Sequence, residues 1–126
     1  MSLVRFTPLL LLALPAAASA QSMNAEAFHH KAVALQKKGP MAIFSRADIN
    51  ALKTEAERAA ARVRETRKAT LAAGGKARYC PPLQKTSMNS SEFMQRLGAI
   101  PAAERARIDM TEATTRILER KFPCPA

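Results

Sequence analysis

Apolar residues recur at helical spacing along most of this chain, and nowhere do they alternate as in a half-buried strand. Between residues 24 and 38, Ala25, Phe28, Ala32 and Leu35 are 3, 4 and 3 positions apart, which places them on one face of a helix. Asn24 is positioned to cap its start, and Gly39-Pro40 ends it. Ser45 followed by Asp48 has the spacing of a capping box, with Phe44 and Ile49 in the two positions of a hydrophobic staple. No glycine or proline then interrupts the chain until Gly74-Gly75. That predicts a helix of about 28 residues, roughly 42 Å long at 1.5 Å per residue. A domain of this size has a radius of gyration of only about 13 Å, so part of the helix is expected to protrude, bend or meet another chain.

The buried seam of this long helix reads Ile49, Leu52, Ala56, Ala59, Val63, Thr66 and Thr70. Its spacing of 3-4-3-4-3-4 is coiled-coil-like, yet the residues are small in the middle and polar at the end, which suits close but weak packing. The stripe fits either contact with the first helix or a surface for a partner or a second copy in a homodimer. Around it lie Arg58, Arg62, Arg64, Arg67 and Lys68, partly offset by Glu55, Glu57 and Glu65.

The second half is patterned differently. Asn89 and Glu92 have capping-box spacing, Met88 and Phe93 can form the staple, and Phe93, Met94 and Leu97 supply one face of a short helix. Ile100-Pro101 breaks it, because the residue before proline is biased out of the helical region. Residues 101 to 107 suit a helical turn or fusion into one longer helix. Asp109 with Glu112 starts the last helix, with Met110, Ala113, Ile117 and Leu118 turned inward. Large apolar side chains are densest here, so the core is expected to centre in this half. The fold class is all-α: about four helices, with a C-terminal helical hairpin preceded by a long basic helix.

The N-terminus changes the compartment. Arg5, an apolar run from Leu9 to Leu14, Pro15, and then Ala18-Ser19-Ala20 have the order of a secretory signal peptide with an A-x-A cleavage site. The apolar run is too short for the about 20 residues of a membrane-spanning helix. Cleavage after Ala20 would place the protein in the periplasm or outside the cell and leave 106 of the 126 residues, one domain's worth. Regions 21–79 and 80–126 are read as two parts of that one domain.

Charge then narrows the partners. The formal charge of +10 falls to +9 when Arg5 leaves, and residues 21–79 hold twelve Lys/Arg against five Asp/Glu. An exported chain with five aromatic residues remaining lacks the stacking platforms of a nucleic-acid binder. Anionic envelope polymers, lipid headgroups or an acidic protein fit such a field better, and Arg58, Arg62, Arg67 and Lys68 are the candidate anion- or partner-binding surface. The charge equally serves simple solubility.

The chemistry is sparse. Cys80 and Cys124, each flanked by proline, are the only cysteines. They have neither the grouped ligands of a zinc site nor the C-x-x-C of a redox centre. A structural disulfide remains, as an oxidising compartment favours. His29 and His30 are adjacent on a helix and point about 100° apart, so they cannot clamp one metal ion. Ser90-Ser91 lacks a nucleophile-elbow context. The carboxylates read as caps or as partners of nearby cations, as in Lys53-Glu57 and Glu65-Lys68. No enzyme, metal or cofactor is expected.

Cys80-Pro81, the helix with Phe93-Met94 and Leu97, the break at Ile100-Pro101, Ile117-Leu118 and the closing Phe122-Pro123-Cys124 together resemble the Rap/Tai immunity-protein family. The resemblance spans about residues 80–124. It implies a small periplasmic helical protein, stapled by disulfide, that neutralises a peptidoglycan amidase delivered by type VI secretion, in several cases as a homodimer. Residues 21–79 depart from the family pattern, which usually has a second cysteine pair there. A different class, an envelope-stress or chaperone-like protein similar to a small acid-stress chaperone, also suits an exported helical chain with one disulfide.

Overall fold

The computed structural model describes residues 22–84 and 86–126; the expected signal peptide lies outside the described residues. The described residues form five α-helices: α1 (Ala25–Lys37), α2 (Arg46–Ala72), α3 (Ser90–Ala99), α4 (Ala102–Arg105) and α5 (Met110–Lys121). A 3₁₀ turn, Gly39–Ser45, joins α1 to α2. Among the described residues there is no strand, only an isolated antiparallel bridge between Asn24 and Asp109. The all-α class holds, and residues 102–105 form a separate helical turn rather than an extension of α3 or α5.

The sequence signals account for most helix ends. Asn24 Oδ1 accepts the N–H groups of Glu26 and Ala27, Asn89 Oδ1 accepts that of Glu92, and Asp109 Oδ1 accepts that of Glu112. Each satisfies donors that have no partner within the first helical turn. Gly39, at φ +53°, turns the chain out of α1 in a conformation that few other residues adopt without cost. The expected capping box at Ser45 does not form. Its hydroxyl makes no cap bond to the helix and instead accepts from Lys38 Nζ at 2.9 Å. Ser45 follows directly on the 3₁₀ turn at φ −109° and ψ 35°, without the extended backbone of Asn89 and Asp109, whose side chains do cap.

The core draws on every helix but α4. Ala25, Phe28, Leu52, Ala59, Leu97, Ile100, Met110, Ala113 and Ile117 form one buried cluster, and its largest fully buried side chains, Leu97, Ile100, Met110 and Ile117, all come from the second half. The long seam of α2 is buried only in part: Leu52, Ala59 and Val63 are buried, whereas Ile49 and Thr66 are exposed. Its main contact is α5, not α1. Ala59, wholly buried, lets the two backbones approach closely.

Beyond Val63 the chain covers its own helix. Gly74, at φ +77°, ends α2, and the following residues return so that Arg67 Nε donates to the Tyr79 carbonyl at 3.2 Å while its guanidinium lies 5.5 Å from the Tyr79 ring centre. Tyr79 is buried beneath it. Most of the final turn, Leu71 included, is exposed.

Candidate functional site

The two cysteines form one disulfide, Cys80 to Cys124, with Cα atoms 4.8 Å apart. It joins the segment that enters α3 to the segment that leaves α5, and the Cys80 N–H donates to the Phe122 carbonyl at 2.8 Å beside it. The prolines on both sides keep these segments out of helical geometry. Arg78, two residues earlier, anchors the same segment on α5. Its guanidinium donates to both Glu112 oxygens at 2.7 and 2.9 Å and lies 2.5 Å from Glu119. That hydrogen bonding holds Glu112 below the usual carboxylate range, with Arg116 adding to the effect against some burial. No helix of the described residues is long and apolar enough to cross a membrane.

The four basic residues singled out in the sequence do not form one surface. Arg62 Nε donates to Thr111 Oγ1 at 3.1 Å, and its Nη2 lies 3.5 Å from Glu55, so it ties α2 to α5. Arg67 holds Tyr79, as above. Lys68 pairs with Glu65 at 3.4 Å on the exposed side, and Arg58 is exposed. The geometric reason is simple. At about 100° per residue, positions 58 and 67 lie on opposite sides of the helix. Two of the four, Arg58 and Lys68, are thus exposed, and two, Arg62 and Arg67, reach other parts of the fold.

The carboxylates also do more than cap and pair locally. Glu55 accepts the Met23 N–H at 2.7 Å and the Ser22 hydroxyl at 3.3 Å, which ties the start of the described chain to α2. Glu26 is bound by Arg105, and Glu92 by both Arg96 and Lys121. Lys121 first, then Arg96, lowers the Glu92 pKa. His29 is half-buried and its pKa is lowered by burial and by the Arg105 charge, while His30 is exposed. Among the described residues, no three His, Cys, Asp or Glu side chains are grouped to hold a metal ion.

What the structure adds is an apolar groove of about 650 Å³, walled by α1, α2, α3 and α5. Phe28, Ala32, Leu52, Ala56, Ala60, Met88, Phe93, Met94 and Leu118 line it, and Ile49 lies at one end. Phe28 and Phe93 meet edge to face across the α1–α3 wall, with ring centres 6.3 Å apart at 83°. Lys53, Glu57 and Arg64 stand on the α2 side. Lys53 and Glu57 pair at 3.9 Å, and Arg64 makes no ion pair among the described residues. Thr114, almost wholly buried, lines the same groove, and its hydroxyl has no hydrogen-bond partner among the described residues.

Sequence reasoning missed this groove because its residues read as core: Ala56 belongs to the expected seam, and Leu118 and Met94 to inward faces. The small size of Ala56 and Ala60 is the one available signal. Two alanines a turn apart leave space where larger side chains would have closed the wall. Compared with family models, with curated proteins and with solved structures, the chain matches none.

Proposed function

We propose that this is an exported, non-enzymatic binding protein that acts as an immunity-type inhibitor of a cell-wall-degrading amidase and receives an apolar element of that partner in the groove between α1, α2, α3 and α5. The observation that carries the reading is the groove itself: open, largely apolar, and built on helices that a disulfide and long-range ion pairs hold in place. Pockets of this size and lining ordinarily accept a ligand or a partner's side chains. The Cys80–Cys124 bridge supports residence in an oxidising compartment. The resemblance of residues 80–124 to immunity proteins supplies the class of partner.

The test pairs the protein with any secreted amidase that a neighbouring gene encodes. Co-expression, pull-down and a peptidoglycan hydrolysis assay are expected to show binding and protection, and Ala60→Arg is expected to abolish both while leaving the helical content unchanged. Absence of binding and protection by the unsubstituted protein would overturn the reading.

A further inference from the structure

The corner between α1 and α2 carries three large apolar side chains that nothing in the fold covers. Met41, Ile43 and Phe44 are 62%, 56% and 80% exposed, and none of them belongs to the core cluster or packs against it. In a 3₁₀ turn, residues three apart eclipse, so Met41 and Phe44 share one edge with Ile43 beside them. Isolated apolar residues on a surface are ordinary, whereas three in one short turn form a patch that water solvates poorly.

The charged surroundings of this patch are mainly cationic. Lys37 and Lys38 directly precede the turn, Arg46 directly follows it, and Lys31 shares with Lys38 and Asp48 a shallow pocket between α1 and the start of α2. Asp48 is the only acid between residues 31 and 54. Lys38 reaches back to the Ser45 hydroxyl, which holds its charge at the base of the turn.

We propose that this corner docks on the surface of an anionic lipid bilayer, with Met41, Ile43 and Phe44 inserted below the headgroups and Lys31, Lys37, Lys38 and Arg46 on the lipid phosphates. Exposed apolar side chains in one turn, with cations on both of its flanks in the chain, match the layered chemistry of an anionic membrane interface. A second copy of the chain is the poorer occupant, because corner-to-corner contact would bring these cations against one another. The turn does not line the groove, so this surface stands or falls independently of the amidase reading.

Cosedimentation with vesicles of phosphatidylglycerol and phosphatidylethanolamine, against phosphatidylcholine alone, provides the test, with every variant carrying the same N-terminus. The protein is expected to bind the anionic vesicles, less so as salt rises. Ile43→Ser with Phe44→Ser should weaken binding at least about tenfold, and Lys37→Ala with Arg46→Ala by about fivefold per cation removed. The chain has no tryptophan, so Phe44→Trp gives a local reporter. Its emission is expected to shift to the blue on adding anionic vesicles and to be quenched by brominated acyl chains. An unshifted Phe44→Trp spectrum, equal binding to phosphatidylcholine, or full vesicle binding by the serine variant would each overturn the proposal. So would a change in oligomeric mass in the serine variant without any change in vesicle binding.

Discussion

Arg105, only 6% exposed, donates from Nε to the Glu26 carboxylate at 2.6 Å and from Nη1 to the carbonyls of Gly98, at 3.2 Å, and Ile100. One side chain thus joins α4 to α1 and satisfies carbonyls that the end of α3 leaves without helical partners. Arg105→Ala is expected to cost about 2 kcal/mol, since it leaves those carbonyls without their donor. Arg105→Lys should recover little of this, because an ammonium cannot reproduce the fork of donors. Urea unfolding of the three proteins measures both.

Acid should weaken the fold in two stages. The His29 pKa is lowered by burial and then by Arg105, with Glu26 opposing and His30 adding slightly, so the unfolded chain takes up that proton first, near pH 6.5. Stability is therefore expected to begin falling as pH drops below about 6.5, and His29→Gln should remove that first decline. Glu26, Glu92 and Glu112 are lowered by their hydrogen bonds to Arg105, Lys121 and Arg78 respectively. Their contribution is complete above the unfolded carboxylate value of about 4.3 and is lost as pH falls through the lower folded values. Melting temperature against pH in the three carboxamide variants checks the second stage.

Reduction of the Cys80–Cys124 bridge opens a loop with a sequence separation of 44. On the chain-entropy account this removes on the order of 4 kcal/mol. A large drop in denaturation midpoint on adding reductant is expected, and a Cys80→Ser, Cys124→Ser double variant should match the reduced protein.

Arg78 clamps Glu112 and Glu119 of α5 just before the bridge. The guanidinium is about half exposed, so solvent screening limits the loss in Arg78→Ala to about 1 kcal/mol. The more telling readout is faster reduction of the disulfide, because the segment leading to Cys80 loses its anchor.

Neighbouring alanines on α2 should behave differently. Ala59 is wholly buried, and Ala59→Leu is expected to cost about 1–3 kcal/mol by forcing neighbouring helices apart. Ala60 lines the open groove, so Ala60→Leu should change stability by no more than about 0.5 kcal/mol. Thermal melts of the two variants separate a packed contact from an empty one.

Local chemistry made much of this fold legible. Asn24, Asn89 and Asp109 announce three helix starts through side chains that reach their own backbone, and Ile100-Pro101 and Gly74 announce ends through steric limits acting on adjacent residues. The cysteine pair was readable because two thiols without other ligands have one stable way to pair. Ser45 misled because, directly after the 3₁₀ turn, its backbone sits at φ −109° and ψ 35°, short of the extended geometry of a capping residue.

Helical periodicity, the caps at Asn24, Asn89 and Asp109, and the disulfide were thus decided by the sequence itself, since each depends on residues close along the chain or on a chemistry with a single partner. Which helix α2 lies against, which arginines point inward and where the wall stays open were decided only by tertiary structure. A cation's role depends on what stands opposite it: Arg105 reads as one more surface charge until Glu26, distant in sequence, and the end of α3 close around it. The groove depends equally on absence, on volume that Ala56 and Ala60 do not fill once four helices have met around them.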